Sequence, residues 1–128
     1  MKLMKLEIVT PLGVIFDDEI KQVTLPGSEG EFGVLPEHAS LVSLLDTGVI
    51  VIDTKDGKEL SVAVDAGYVK VEENKTLCVA DGAVALNGKG SDLEKAINEA
   101  KDLLQKAQNS STAIASAMGK VEHISKSL

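Results

Sequence analysis

The chain has 128 residues, enough for one domain with a short appendage, and a hydrophobic fraction of 44%, which suffices for a packed core. Its 13 basic residues, all lysine, are outnumbered by 20 acidic ones, and duplex nucleic acid would repel the net charge of −7. Without arginine, whose planar fork suits phosphate, the composition argues against nucleic-acid binding. The single cysteine, Cys78, excludes an intramolecular disulfide and indicates a reducing compartment.

The amino terminus gives no sign of a membrane role. Lysines at positions 2 and 5 and a glutamate at position 7 interrupt it, so it is not expected to be a signal peptide. No apolar run approaches the roughly 20 residues that cross a bilayer. We therefore expect no direct membrane insertion.

Residues 1–86 have the two-residue period of β-strands. Apolar and charged residues alternate over residues 4–8, and similar alternation recurs at 60–65 and 68–72. Residues 49–52 are apolar on both faces, which predicts a strand covered on both sides. Turn signals separate the runs, and Asp56-Gly57 predicts a hairpin with a primed turn. Many short strands at this spacing predict an antiparallel sandwich or barrel.

Beyond residue 87 the period becomes helical. Ser91-Asp92-Leu93-Glu94 reads as a capping box at a helix start. Two apolar stripes follow, the first at Leu93, Ala96, Ile97, Ala100, Leu103, Leu104 and Ala107, the second at Ile114, Ala117, Met118, Val121 and Ile124. Helices with such small apolar faces must pack on each other, on the sandwich or on a partner. Their thin contacts would let the pair detach at modest cost.

Candidate catalytic and metal-binding residues are few. Cys78 could act as a nucleophile with His38 or His123, but its apolar neighbours favour a place on a sheet face. The two histidines have no recognisable ligand spacing, and residues 17–19 lack the spaced oxygens of a calcium loop. These three acidic residues are interpreted as a solvated turn, and we expect no metal.

The glycine-rich stretch at residues 26–33 has the composition of a functional loop. It does not end in the Gly-Lys-Ser/Thr of a phosphate-binding loop, and Glu29 and Glu31 would repel phosphate. Its glycines would permit sharp reversals of the backbone. Acidic side chains beside one phenylalanine favour a surface loop that docks onto a partner.

The same stretch carries a family resemblance. Pro26-Gly27-Ser28-Glu29-Gly30-Glu31-Phe32-Gly33-Val34-Leu35-Pro36-Glu37-His38-Ala39-Ser40 resembles the signature of the epsilon subunit of bacterial F-type ATP synthases. Residues 6–11 look like the first strand of that family, residues 65–71 like its glycine-containing central strand, and residues 74–81 like the strand that follows. The resemblance covers essentially the whole chain.

The resemblance implies a fold and a set of contacts. Residues 1–86 would form a β-sandwich of about ten strands, and residues 87–128 an antiparallel two-helix hairpin. The chain would be a non-catalytic rotor-stalk subunit, peripheral to the cytoplasmic face of the bacterial inner membrane. The polar loops of the c-ring would be contacted by Glu29, Gly30, Glu31 and Phe32. The gamma subunit would be contacted by His38, Val42 and Ser43.

The resemblance also implies regulation by the hairpin. When extended, the hairpin would reach the alpha and beta catalytic subunits and block hydrolysis, through Ile114, Met118, Val121, Lys120 and Lys126. A nucleotide motif of some relatives is matched only in part here, at Asp92, Lys95 and Ala96, so tight binding of ATP is not expected, and no other cofactor is implied. Two alternatives remain: a stand-alone β-sandwich that binds a nucleotide or other small ligand, and a cysteine-dependent enzyme.

Overall fold

The computed structural model describes residues 2–86, 91–105 and 120–124. The described residues form seven strands and one helix: β1 Met4–Thr10, β2 Gly13–Gly27, β3 Gly30–Val34, β4 Leu41–Leu45, β5 Gly48–Thr54, β6 Glu59–Val71, β7 Lys75–Leu86 and α1 Ser91–Gln105. Residues 120–124 are also helical. In this described part of the chain, no helix has the length and hydropathy needed to span a membrane.

The predicted β-sandwich with helices after it is confirmed, with fewer and longer strands than the expected ten. β2 pairs with β1 through its first half and with β3 and β5 through its second half. β6 likewise pairs first with β5 and then with β4, and only the first half of β7 pairs with β1. Each long strand thus contributes to two parts of the sandwich, and counting the halves separately gives ten.

One strand pair differs from the antiparallel arrangement that was predicted throughout. β1 runs parallel to β7, with Lys5 opposite Lys75 and Val9 opposite Val79. These are the first and last strands, so no short hairpin fixes their relative direction. Because β1 also pairs with β2, the pairing closes into a ring through β1, β2, β5, β6 and β7. Closure leaves few free strand edges in the sandwich.

The inside of the sandwich, here called the main core, is aliphatic. It contains sixteen buried residues, among them the alternating Met4, Leu6 and Ile8 of β1. Branched side chains of this kind pack well on a pleated surface. Cys78 lies in this core, as favoured by its apolar neighbours in the sequence.

β5 is covered on both faces, as its sequence predicted. Ile50 and Ile52 point into the main core and are completely buried. Val49 points the other way, into a second group of buried residues, here called the helix-side cluster: Val49, Ala63, Leu86, Ile97, Ala100, Leu104 and Val121. The outer cover of β5 is therefore helical.

α1 presents its predicted apolar stripe to the sheet. Ile97, Ala100 and Leu104 are buried, and Leu93, Ala96 and Leu103 pack around them. Val121 is also fully buried in the cluster, so residues 120–124 lie folded against the sandwich. Lys101 of α1 pairs with Glu122 at 2.8 Å. The remaining members of the predicted stripes, Ala107, Ile114, Ala117 and Met118, lie outside the described residues.

Two local predictions were wrong in detail. Asp56-Gly57 does form a hairpin between β5 and β6, but the central residues of its hydrogen-bonded turn are Lys55 and Asp56, and the positive φ of 80° belongs to Gly57, which follows them, so the turn is not a primed one. The amide of Gly57 donates to the Thr54 carbonyl at 3.0 Å, which closes a longer connection. Residues 17–19 lie within β2 rather than in a turn, because pairing with β1 extends through them.

Candidate functional site

An open groove of about 620 Å³ lies between the β2–β3 hairpin and β4. It is here called the tip groove. The two sets of contact residues proposed from the resemblance all line it: Glu29, Gly30, Glu31, Phe32, His38, Val42 and Ser43. Two predicted surfaces that are separate in the sequence are thus one continuous surface in the fold.

The glycine-rich stretch forms one wall of the tip groove. It was predicted as a loop, but its ends are strands, and only Ser28 and Glu29 form the turn. Gly30 follows with a φ of +123°, which side chains rarely tolerate. The Ser28 amide donates to the Leu44 carbonyl at 3.2 Å, and the Asp46 amide to the Pro26 carbonyl at 2.8 Å. These bonds fix the hairpin to the end of β4.

The hairpin side chains divide between the solvent and the core. Glu29 and Glu31 are exposed, whereas Phe32 is half-buried and packs against the main core. Phe32 therefore anchors the hairpin, and the carboxylates form its accessible tip. Such a tip can accept hydrogen bonds or attract cations, and it suits an anionic ligand poorly.

The other wall of the tip groove is an apolar sheet face. Val42 and Leu44 of β4, which are 71% and 65% exposed, line this wall. Tyr68 of β6 is 45% exposed, lies opposite Leu44 and continues the apolar face on the neighbouring strand. We call these three residues the outer face of β4. Ser43 is half-buried and lies opposite the core residue Val69, so it points away from this face.

Leu44 and Tyr68 were not among the contact residues expected from the resemblance. The signal that could have found Leu44 is the run Leu41-Val42-Ser43-Leu44-Leu45, which apart from Ser43 is apolar on both faces. Residues 49–52 show the same signal, and there it was interpreted correctly. Exposed apolar residues grouped on one face are typical of a protein-binding surface.

The residues considered for catalysis do not form a reactive cysteine site. Cys78 is buried, and desolvation raises the pKa of its thiol to about 12, so the thiolate is suppressed at neutral pH. His38 lies at the tip groove, with Nδ1 2.6 Å from the Ala39 carbonyl oxygen. Cys78 therefore lacks the thiolate character that a catalytic nucleophile requires.

The acidic residues weighed as a calcium site are engaged by lysines. Asp17 pairs with Lys5 at 2.6 Å and Asp18 with Lys55 at 3.3 Å. The Glu19 amide also donates to Asp18 at 2.8 Å, and this bond, together with Lys55, holds the pKa of the Asp18 carboxyl below its ordinary value. Asp17 and Asp18 are therefore members of surface ion pairs on a strand.

The helical candidates fall into two groups. In the partial nucleotide motif, Asp92 and Lys95 are exposed, while Ala96 turns towards the helix-side cluster. In the second helical segment, Val121 is buried, and the Lys120 ammonium pairs with the Glu31 carboxylate. Ile114, Met118 and Lys126 lie outside the described residues. The structure therefore connects one regulatory candidate, Lys120, directly to the tip groove.

Comparison with known proteins extends over nearly the whole chain. Residues 3–86 match the family described as ATP synthase, Delta/Epsilon chain, beta-sandwich domain. The ATP synthase epsilon chain of a Sulfurovum species is 72% identical over 127 residues, covering 99% of both chains. That of a Nitratiruptor species is 48% identical over 127 residues and covers 98% of both chains.

Two solved structures share the fold. One is a chain of the Euglena gracilis mitochondrial ATP synthase (OSCP/F1/c-ring), with a TM-score of 0.63 at 20% identity, covering 95% of this chain and 74% of that one. The other belongs to the central stalk/c-ring of the Tetrahymena thermophila enzyme, with a TM-score of 0.56 at 12% identity, covering 98% of this chain and 96% of that one.

Proposed function

The chain belongs to the family of ATP synthase epsilon chains, as its sequence resemblance predicted, and from that premise we propose that it couples the rotor by docking through the tip groove and the outer face of β4. It would serve as an accessory subunit between the gamma subunit and the c-ring. Its place would be peripheral, at the cytoplasmic face of the bacterial inner membrane.

The observation that carries this proposal is the exposed outer face of β4. Leaving Val42 and Leu44 in water forgoes burial that is worth about 1.5–3 kcal/mol for each large aliphatic side chain. A neighbouring subunit would recover this free energy by covering them. We assign this apolar face to gamma, since interfaces that stay assembled have an apolar centre.

The acidic tip of the groove suits a second, more polar contact. Glu29 and Glu31 project from a hairpin that two backbone bonds and the buried side of Phe32 hold in place. Carboxylates in fixed positions can accept hydrogen bonds from polar loops at their end of the sandwich. We assign this tip to the loops of the c-ring.

The sandwich between these contacts is suited to transmitting torque. Its main core is continuous, and its strands close into a ring through β1, β2, β5, β6 and β7. Close-packed interiors have low compressibility, so a load applied at one wall of the groove reaches the other with little deformation.

The helical part would regulate hydrolysis. In the folded arrangement Val121 is buried against the sheet, and release would expose it for contact with the alpha and beta subunits. We expect inhibition to be weak, because in the predicted second helix only Lys120 and Lys126 are basic. Deleting residues 110–128 tests this point, and a several-fold rise in ATPase activity would contradict weak inhibition.

The docking proposal is tested by purifying the tagged full-length chain from detergent-solubilised membranes of its source cell and identifying bound proteins by mass spectrometry. We expect gamma, the c-ring and the catalytic subunits in fixed proportion, and a large loss of gamma for the double variant Val42→Asp, Leu44→Asp. A matched control places Asp at two exposed positions away from the groove, Leu12→Asp and Val14→Asp.

Two outcomes would contradict the proposal. Recovery of none of these subunits by the wild-type chain would leave only a shared fold and favour a stand-alone ligand-binding module. Equal loss of gamma in the groove variant and in the control variant would show that the outer face of β4 is not the contact surface.

A further inference from the structure

The ion pair between Lys120 and Glu31 joins the helical part of the chain to the tip groove. The two residues are separated by 89 positions in the sequence, and their side chains are 31% and 48% exposed. Glu31 belongs to the β2–β3 hairpin and Lys120 to the helical residues 120–124. The contact is therefore formed only while that segment lies against the sandwich.

The neighbours of Lys120 fix its position. Val121 is fully buried in the helix-side cluster, and Glu122 pairs with Lys101 of α1 at 2.8 Å. The backbone of Lys120 is thus held beside the hairpin by contacts that do not involve its own ammonium group. Its pairing with Glu31 orders a side chain whose attachment point is already fixed, which reduces the entropy lost in forming the pair.

We propose that Lys120 is an internal competitor for Glu31, so that the folded helical segment and an external partner of the tip groove bind the same carboxylate. This inference rests on the proposed docking role of the groove. While the segment is folded, the Lys120 ammonium neutralises Glu31. A partner whose polar or cationic groups take Glu31 removes that contact and favours release of the segment.

The competition implies a reciprocal coupling. If partner binding at Glu31 promotes release of residues 120–124, release must strengthen partner binding by the same factor. Half-exposed ion pairs are weak, so the factor should lie between about 1.4-fold and 5-fold. A coupling of this size would bias the regulatory segment without locking it.

The intramolecular step is tested in the isolated full-length chain by amide hydrogen exchange of residues 120–124. Glu31→Gln and Lys120→Gln should each raise the exchange rate by about 1.4-fold to 5-fold, and the double variant should add nothing further. The swap Glu31→Lys, Lys120→Glu should restore slow exchange. Glu29→Gln, in the same β2–β3 hairpin, is the matched control and should leave the rate unchanged.

The competition itself is tested by adding the purified c-ring in detergent. The ring should raise exchange of residues 120–124 in the wild-type chain to the level of Glu31→Gln, and should cause no further rise in that variant. Binding of the ring without a change in exchange would overturn the competition and leave the docking role intact. Failure of the ring to bind at all would overturn both. If Glu31→Gln and Lys120→Gln had additive effects on the exchange rate, the ion pair would not be the link between the helical segment and the tip groove.

Discussion

β4 and β5 have the same kind of sequence and different surroundings. Each is apolar on both faces, and each directs one face into the main core. The second face of β5 is covered by α1 and residues 120–124, with Val49 only 2% exposed. The second face of β4 is bare, with Val42 71% exposed. A strand with two apolar faces leaves one of them exposed unless a second layer packs on it. Of these two strands, the described helical residues pack on β5 and not on β4.

The difference indicates two kinds of interface on one sandwich. The cover of β5 belongs to the chain itself, and small residues such as Ala100 and Val121 form part of it. The cover of β4 is the surface that we assign to the gamma subunit. The helix-covered face of β5 and the exposed face of β4 therefore lie on neighbouring parts of the sheet. The helical segment proposed to regulate hydrolysis is thus close to the proposed docking surface.

The largest expected effect comes from a substitution in β6, the strand that pairs with both β4 and β5. β6 pairs with β5 before Gly67 and with β4 from Gly67 onwards, and a Cβ at Gly67 would lie 1.9 Å from the Val79 carbonyl oxygen. Gly67→Ala should lower the free energy of unfolding by about 3 kcal/mol, because backbone must shift to admit the methyl group. Urea denaturation measures this loss.

The control for Gly67→Ala is Gly33→Ala in β3, where an added Cβ meets nothing within 4 Å. This control should change the free energy of unfolding by less than about 1 kcal/mol. Equal midpoints for the two variants would contradict the close approach of β6 and β7 at Gly67.

The next effect compares the covered face with the bare one. Val49→Ala should weaken docking of α1 by about 2 kcal/mol, since it leaves a cavity in the helix-side cluster, and amide exchange in Ser91–Gln105 should accelerate. Val42→Ala should change stability by less than about 0.5 kcal/mol, because the residue is exposed.

The same two variants should exchange roles in binding. Val42→Ala should reduce recovery of gamma in the purification experiment, while Val49→Ala should retain it. If Val49→Ala reduced gamma recovery more than Val42→Ala, the division into internal and external covers would be wrong.

A third effect concerns the core beneath both strands and appears only at high pH. Cys78 has an ordinary pKa of 9.0 that burial raises to about 12. Between these values the unfolded chain releases the thiol proton and the native chain keeps it. The buried, protonated Cys78 thiol therefore makes its full contribution to stability below pH 9. Above that pH, and up to about pH 12, the free energy of unfolding falls by about 1 kcal/mol for each pH unit.

Urea midpoints at several pH values between 8 and about 11 would measure this slope. Cys78→Ala is the comparison, and its slope should be shallower than that of the wild type, whatever its absolute stability. Parallel slopes would mean that the thiol titrates normally and is accessible in the native state.

The smallest expected effect concerns ATP on the helical cover. Lys95 is a single exposed ammonium, and Ala96 points into the helix-side cluster. ATP at about 1 mM should stabilise the chain by less than about 0.4 kcal/mol, and Lys95→Ala should behave like the wild type. Stabilisation of the wild type by more than this, lost in Lys95→Ala, would restore the nucleotide motif as a regulatory site.

The regular parts of the fold were predictable because they depend on local periodicity. Alternation in β1 gave its buried face, and the spacing of Ile97, Ala100 and Leu104 gave the buried stripe of α1. The number of strands was less predictable. Residues 17–19 were interpreted as a turn because three consecutive acidic residues are typical of a solvated surface, whereas in the fold they pair in register with residues 5–7 of β1.

The candidate site was predictable in its residues and not in its geometry. The resemblance identified both the glycine-rich stretch and Val42, but nothing local to either one indicates that they line one groove. Leu44 and Tyr68 were missed because the sequence does not show which apolar residues the fold leaves exposed. The pair formed by Lys120 and Glu31 was missed because it joins residues that only the folded helical segment brings together.

The tip groove and the outer face of β4 together form the proposed docking surface. Amide hydrogen exchange of the full-length chain, measured free and within the purified ATP synthase, tests it most directly. We expect assembly to slow exchange in the β2–β3 hairpin and in Leu41–Leu45, with little change at the amides of Leu12 and Gly13, where β1 turns into β2. Slower exchange in that turn, with the hairpin and β4 unchanged, would contradict it.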